Sequence, residues 1–301
     1  MTSIPIPNSE LKVYRQLLIE RIEREDPNRT AELALSGGID SATLLFAMLE
    51  SGRRPTCFTF YIDKSPSEDL IASRALCQHF GLTLREVAIP WDMDQLVRDL
   101  RRIIPAAHNP RKPTIVQCMH PWLYLYPAMQ SDLAFCGLGA EDQFGTQGKL
   151  QKFINMTVAA AKRDGKTPAE AREVADKAVW DQGWRGRSWE GDLDHSTANI
   201  IRLGRSYGKT LIDLYSGDRR LIEWFGKWSV FDLQKPFPKA ASVYAFEDYY
   251  RQGAFLRKPS NYQINSKLKD MHEALCNEPR YNKRGAKAVV SIYMDIAKGL
   301  L

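Results

Sequence analysis

Apolar and polar positions follow two rhythms along this chain, and the change between them divides it in two. Residues 10–25 set Leu11, Tyr14, Leu17, Leu18 and Ile22 at helical spacing, which predicts an amphipathic helix closed by Pro27-Asn28. Short apolar runs at Ala31–Leu35, Thr56–Ile62 (TCFTFYI), Thr83–Ile89 and Leu133–Cys136 predict strands from their β-branched and aromatic content. Between them Asp40–Glu50, Glu68–Phe80 and Asp92–Ile104 carry helical periodicity and stop at Ser51-Gly52, Gly81 and Pro105. Strands alternating with helices of this length predict βαβ units on a parallel sheet, so residues 1–148 read as one α/β region. From 149 to 301 the pattern turns helical. Residues 150–182 and 192–214 predict helices separated by DQGWRGRSWEG, and helices resume after Pro236-Phe237-Pro238. The expected architecture is α/β, a doubly wound and mostly parallel sheet with a helical C-terminal half packed against it, and without internal repeats.

Composition narrows the class. With 301 residues, 44% hydrophobic and 26% charged, the chain can bury a real core and is not disordered as a whole. No run approaches the roughly 18 apolar residues of a membrane-spanning helix, and the N-terminus lacks a basic segment followed by an apolar one. Five cysteines (57, 77, 118, 136 and 276) form no CxxC pair. They predict reduced thiols and a cytoplasmic protein rather than a zinc site or a disulfide framework. A net charge of +6 admits anionic substrates or nucleic acid and requires neither.

The chemistry concentrates where the first strand meets the next helix, in Ser36-Gly37-Gly38-Ile39-Asp40-Ser41. A strand that ends in a glycine-rich turn and enters a helix leaves free backbone N–H groups at the helix N-terminus, a ready anion site. Gly37 and Gly38 allow the backbone close to a phosphate, while Ser36 and Ser41 add hydroxyl donors. The spacing is neither GxxxxGK[ST] nor GxGxxG. A carboxylate in such a turn repels phosphate unless a divalent cation lies between them, so Asp40 reads as a Mg²⁺ ligand.

SGGIDS resembles the pyrophosphate loop of the ATP-pyrophosphatase superfamily. That resemblance implies a flavodoxin- or Rossmann-like sheet, MgATP as cofactor and attack on its α-phosphate. A second stretch, CGLGAEDQFG at 136–145, is similar to the GEGSDE(V/L)FGG segment of the asparagine synthetase branch. Gly137, Gly139, acids at 141 and 142, and Phe144-Gly145 stand in register. The resemblance implies that Glu141 shares the metal with Asp40. A third, DRRLIEWFGKWSVFDLQKPFPKAASVYAF, resembles a W-x-V-x-x-x-x-PF phrase, with Trp228, Val230, Pro236 and Phe237 in mainly structural places. The branch also carries a C-terminal lysine that contacts the phosphates. Here the K-x-G phrase points to Lys283, with Lys287 as the alternative.

Two departures stand out. The branch's GE glutamate, which handles the incoming amine, is Leu138 here, and a leucine can neither take a proton nor bind an amine, so either another residue serves, Glu141 and Asp142 being nearest, or the nucleophile is of another kind. About 30 residues precede the loop and Thr2 follows Met1, so no glutaminase domain is expected. Ammonia or an amine would arrive free, from a partner subunit, or from within the substrate.

The implied activity is adenylylation of a small-molecule carboxylate with release of pyrophosphate, followed by transfer to an amine or ammonia. Asp40, Glu141 and Lys283 are the expected catalytic residues. Ser36, Gly37, Gly38, Ser41, Phe60 and Gly137 are expected around the nucleotide, with the backbone of Phe60-Tyr61 bordering adenine at the sheet's C-terminal edge. A second reading is a nucleic-acid-modifying enzyme of the same superfamily, drawn from Trp180, Trp184 and Trp189 beside Arg185 and Arg187. Residues 149–209 hold twelve Lys/Arg against eight Asp/Glu, and that small excess suits a Trp-rich helical insertion equally well. A third is a module that keeps the loop and forms no adenylate. His120 is expected to flank a helix start, with an approach to the substrate pocket as the alternative, and SPSEDL to open a capped helix through Ser65 or Ser67.

Overall fold

The computed structural model describes residues 4–63, 66–186, 192–253, 255, 262–282 and 284–301. Its first half alternates strand and helix as the apolar pattern requires: α1 (Asn8–Glu25), β1 (Glu32–Ala34), α2 (Ile39–Glu50), β2 (Cys57–Ile62), α3 (Glu68–Phe80), β3 (Leu84–Ile89) and α4 (Met93–Ala106). Local chemistry sets the boundaries. Ser67 caps α3 by accepting the Leu70 N–H, and Gly81 closes it at φ 60°, where a side chain would be strained. Asp92 caps α4 through the Gln95 N–H. Pro105 lies inside the last turn of α4 rather than beyond it, because a proline there forfeits a single hydrogen bond.

Two short helices, α5 (Pro113–Met119) and α6 (Trp122–Ala128), then lead into β4 (Leu133–Cys136) and α7 (Ala140–Gln143). The segment 150–182 is a helical hairpin, α8 (Gly148–Arg163) and α9 (Pro168–Asp181). A capping box between Thr167 and Glu170, with Pro168 in the first turn, restarts the chain as α9. The expected helix over 192–214 needs correction. It is α10 (Ser196–Ser206), a turn at Gly208 with φ 67°, and a fifth strand, β5 (Thr210–Asp213). Four residues are too few for periodicity to tell strand from helix. Pairing decides it: β5 lies parallel to β4, with Ala134 opposite Leu211 and Cys136 opposite Asp213. The chain ends in helices, α11 (Arg219–Gly226), α12 (Ala240–Ala245), α13 (Glu247–Gly253), α14 (Tyr262–Asn265), α15 (Leu268–Ala274) and α16 (Val289–Ala297). None of the described helices is long and apolar enough to cross a membrane.

The sheet is all parallel in the order β3-β2-β1-β4-β5. Alternate strand residues enter two cores. Leu33, Cys57, Phe135 and Ile212 pack with α1, α2 and α12, while Ala34, Phe58, Ala134 and Leu211 pack with α4, α5, α6, α10, α15 and α16. A smaller cluster of Leu150, Ile154, Ala175, Val179 and Val230 holds the α8–α9 hairpin.

A polar chain crosses the second core. His120 does precede α6, as expected, yet it is wholly buried. Its Nε2 lies 3.2 Å from Asp99 Oδ2 and its Nδ1 3.0 Å from His272 Nε2, while His272 Nδ1 lies 2.6 Å from the Tyr293 hydroxyl. The donor inventory allows one direction when both imidazoles are neutral: Tyr293 donates to His272, His272 to His120, and His120 to Asp99. Burial pushes the Asp99 carboxyl up, and hydrogen bonds from His120 and Tyr124 outweigh this and hold it below its ordinary value. Burial, with His120 alongside, holds His272 well below the usual histidine range. His272 therefore stays neutral when folded and takes a proton when unfolded, near pH 6.5. Its contribution to stability is complete above about pH 6.5 and declines as pH falls, by up to about 1.4 kcal/mol per unit. Thermal unfolding between about pH 7.5 and pH 5 should show this slope, and His272→Gln should flatten it while lowering the plateau.

Candidate active site

β1 is the branch point of the sheet. The chain leaves it toward β2 and β3 on one side, while β4 and β5 build outward on the other, so the loops after β1 and β4 flank the switch point at the sheet's C-terminal edge, where ligands bind in such folds. SGGIDS is the first of those loops and GLGAED the second.

Each loop is shaped by positions where a side chain would not fit. Gly37 sits at φ 67°, and a Cβ there would stand 2.4 Å from Ala72 Cβ in α3. Gly38 opens α2 in extended conformation, with no side chain capping the helix, so the first-turn N–H groups stay available to an anion. Ser41 Oγ accepts the Ser36 N–H at 3.1 Å and lies 3.1 Å from Ser36 Oγ, while Ser36 Oγ accepts the Gly38 N–H at 3.3 Å. In the second loop a Cβ on Gly137 would stand 3.0 Å from Asp40 Cβ, so the two loops touch. A Cβ on Gly139 would lie 2.0 Å from Asp213 Oδ2. Asp213, at the end of β5, accepts the backbone N–H groups of Gly139 and Tyr215 and the Ser216 hydroxyl. Burial pushes its carboxyl up, against those bonds and the nearby Arg21.

Asp40 and Glu141 meet in the crevice. Asp40 Oδ2 is held by Lys239 Nζ at 2.5 Å. Asp40 Oδ1 is buried and has no hydrogen-bond partner among the described residues. Glu141 is exposed to solvent, with protein crowded round its carboxyl. That crowding pushes its carboxyl up; Lys239 draws it down and Asp40 raises it further. Two tyrosines brace the loop from behind. Tyr215 donates to the Asp40 carbonyl at 3.0 Å and Tyr250 to the Ile39 carbonyl at 2.9 Å.

An unpartnered carboxylate oxygen beside a second carboxylate suits a hard divalent cation. The described residues hold no group of three side chains able to bind a metal alone. That donor set fits Mg²⁺, which is commonly held by one or two carboxylates together with substrate phosphates.

Lys239 is the residue the sequence reading missed. It follows Pro236-Phe237-Pro238, stands at φ 64° where α12 begins, and is almost wholly buried. Lys283 lies outside the described residues. Lys287 is exposed in the same segment, which Arg280 and Tyr281 tie to Asp94 at 2.8 Å, at the start of α4 beyond the edge strand β3. Phe60 lies two residues from the end of β2, half-buried and packed into the second core. Leu138 is half-buried against the same core.

The asparagine synthase family profile matches residues 23–228. The chain belongs to the asparagine synthase family. ATP-dependent, amide-forming ligase chemistry is its general activity class, with ATP binding and adenylation as the family's means. A comparison with curated proteins finds no match. Nothing supports the nucleic-acid reading. Its described residues turn inward: Arg185 is buried, donates to the Phe225 and Trp228 carbonyls and lies 4.7 Å from the Trp180 ring centroid, and Trp184 packs on the α8–α9 cluster. Arg187 and Trp189 lie outside the described residues. Of the expected structural residues in this family member, Val230 is buried in that cluster and Phe237 stacks on Tyr244 with ring centroids 6.3 Å apart. Ser67 is the cap of α3, and Ser65 is not among the described residues.

Gly37 carries a strict expectation. Gly37→Ala combines a left-handed backbone with a 2.4 Å clash and should lower unfolding free energy by about 2 kcal/mol or more. Urea denaturation measures it.

Proposed function

We propose that this asparagine synthase family member uses MgATP to adenylylate a substrate carboxylate, releases pyrophosphate, and passes the acyl group to ammonia or an amine, forming an amide and AMP. The observation that carries the reading is the meeting of Asp40, with its unpartnered oxygen, and Glu141 at the sheet's switch point, directly over a helix N-terminus.

In this reading the backbone N–H groups of Gly38 and the first turn of α2, with the Ser36 and Ser41 hydroxyls, hold the pyrophosphate portion of the nucleotide. Gly37 and Gly137 let the first loop pack against α3 and the second loop against Asp40, where a side chain would clash. The backbone at Phe60 borders the adenine. Asp40 and Glu141 hold Mg²⁺, which when bound supplies positive charge against the polyphosphate. Lys239, already at Asp40, and Lys283 supply further positive charge as the pyrophosphate leaves. The segment 149–301 shapes the side on which the carboxylate and the nucleophile meet, and holding both in one pocket supplies much of the rate.

Leu138 bears on the nucleophile. It offers no base to an incoming amine, so an amine already neutral, or ammonia delivered free or from a partner subunit, needs least help. Asp142 is buried, 4.0 Å from His195 Nε2, and Glu141 is the exposed carboxylate of the pair.

A pyrophosphate-release screen over carboxylates and amine donors with MgATP, followed by mass spectrometry of the product, tests the reading. Asp40→Asn leaves the glycines and backbone donors in place and should cut release by about a hundredfold or more. Glu141→Gln should do the same, and the double variant should be little worse than either, because the two act as a unit. A folded Asp40→Asn protein working within about threefold of wild type would overturn the assignment.

A further inference from the structure

We infer that Lys239 is a resident counter-cation that closes Asp40 to free divalent metal, so that metal is admitted to this site only together with nucleotide. The inference rests on the reading of Asp40 and Glu141 given above and adds to it an order of binding.

Three features carry it. The Lys239 ammonium lies 2.5 Å from Asp40 Oδ2, occupying the carboxylate edge a metal would share. Its side chain is nearly buried at 7% exposure, so this pair is shielded far more than a surface ion pair. The platform beneath it is built in: Ala240, Ala241 and Ser242 are buried, and Ser242 is hydrogen-bonded to Tyr14 at 3.0 Å. Asp40 is no freer to swing away, since Tyr215 and Tyr250 hold the carbonyls of Asp40 and Ile39.

The charges then decide the order. Asp40 and Glu141 bring two negative charges and Lys239 returns one. A divalent cation added alone would have two carboxylates as its whole charged ligand set, and the fixed ammonium beside them cancels about half of that attraction and leaves the ion weakly held. A nucleotide polyphosphate changes the balance, because its oxygens complete the metal's ligands and offer the ammonium a new partner. Lysine suits this exchange: its compact charge on a flexible stem can move between acceptors. Asp40 Oδ1, still unpartnered, remains for the metal.

The test reads metal binding rather than turnover. Mn²⁺ titrated into nucleotide-free protein, followed by electron paramagnetic resonance, should show no single site tighter than about 1 mM in wild type. Lys239→Gln, which keeps a donor and removes the charge, should gain one site bound at least about tenfold more tightly. Adding Asp40→Asn to Lys239→Gln should abolish it. Lys239→Arg, which keeps the charge, should stay closed, an outcome that a merely structural role for the side chain does not produce. With Mn²⁺ and α,β-methylene ATP together, Lys239→Gln should bind the pair about tenfold more weakly than wild type. Thermal unfolding confirms that each variant is folded, and Lys239→Met replaces Lys239→Gln if the latter is not. A nucleotide-free wild-type site as tight as that of Lys239→Gln would overturn the inference. If Lys239→Gln gains no site while Asp40→Asn still abolishes pyrophosphate release, the counter-cation role fails and the ligase reading stands. Failure of wild type to bind Mn²⁺ even with the ATP analogue would overturn both.

Discussion

Everything at the crevice depends on β1 being paired on both sides. Because β2 and β4 both run parallel to it, the loop after β1 and the loop after β4 end at the same edge of the sheet, where they meet at Asp40 and Gly137. A parallel sheet with a central reversal of order makes such a crevice without any special residue. The special residues are needed to line it. Gly37 and Gly139 each sit where a Cβ would strike a neighbour, Ala72 in one case and the Asp213 carboxylate in the other. Those close approaches pack the first loop on α3 and the second on the end of β5.

The helical half closes the other side of that gap. Tyr215 follows β5, Tyr250 lies in α13 and Lys239 begins α12, and all three reach back to the first turn of α2 or its loop. Their contacts explain how Asp40 can keep one buried carboxylate oxygen unpartnered. A lone anionic oxygen in a crowded cleft is unfavourable, and a neighbouring ammonium on the other oxygen lowers the local charge without filling the open position. Among the described residues no direct partner is seen for Glu141, and burial, with Asp40 nearby, pushes its carboxyl up. The two carboxylates of one proposed metal site are thus unequal before any ligand arrives.

The buried chain from Tyr293 through His272 and His120 to Asp99 plays the opposite part. It lies in the second core, where its hydrogen bonds join α16, α15, the α5–α6 junction and α4. Each histidine nitrogen in it is already used. A histidine in such a setting orders helices and is not open to substrate.

What the sequence by itself determined is the set of features whose cause is local. A glycine-rich turn between an apolar run and a helix, a serine cap at Ser67 and a left-handed stop at Gly81 each depend on a few adjacent residues, so SGGIDS, most of the strands and the doubly wound arrangement were legible before any coordinates. Glu141 was reached by another route, through the resemblance of its segment to the asparagine synthetase branch, with Gly137 and Gly139 in register. The tertiary structure alone decided the rest. Residues 210–213 become a strand because β4 offers them a partner, and four residues carry no period that could reveal it. Lys239 reads in sequence as one more lysine after a proline-rich turn. It joins the site because α12 packs on α1 and α2 and brings its buried ammonium to an aspartate 199 residues earlier. Arg185 looks like part of a basic, aromatic surface until packing buries it under Trp180. Charge and aromaticity along a chain do not say which way a side chain faces; only the long-range packing of helices on the sheet does.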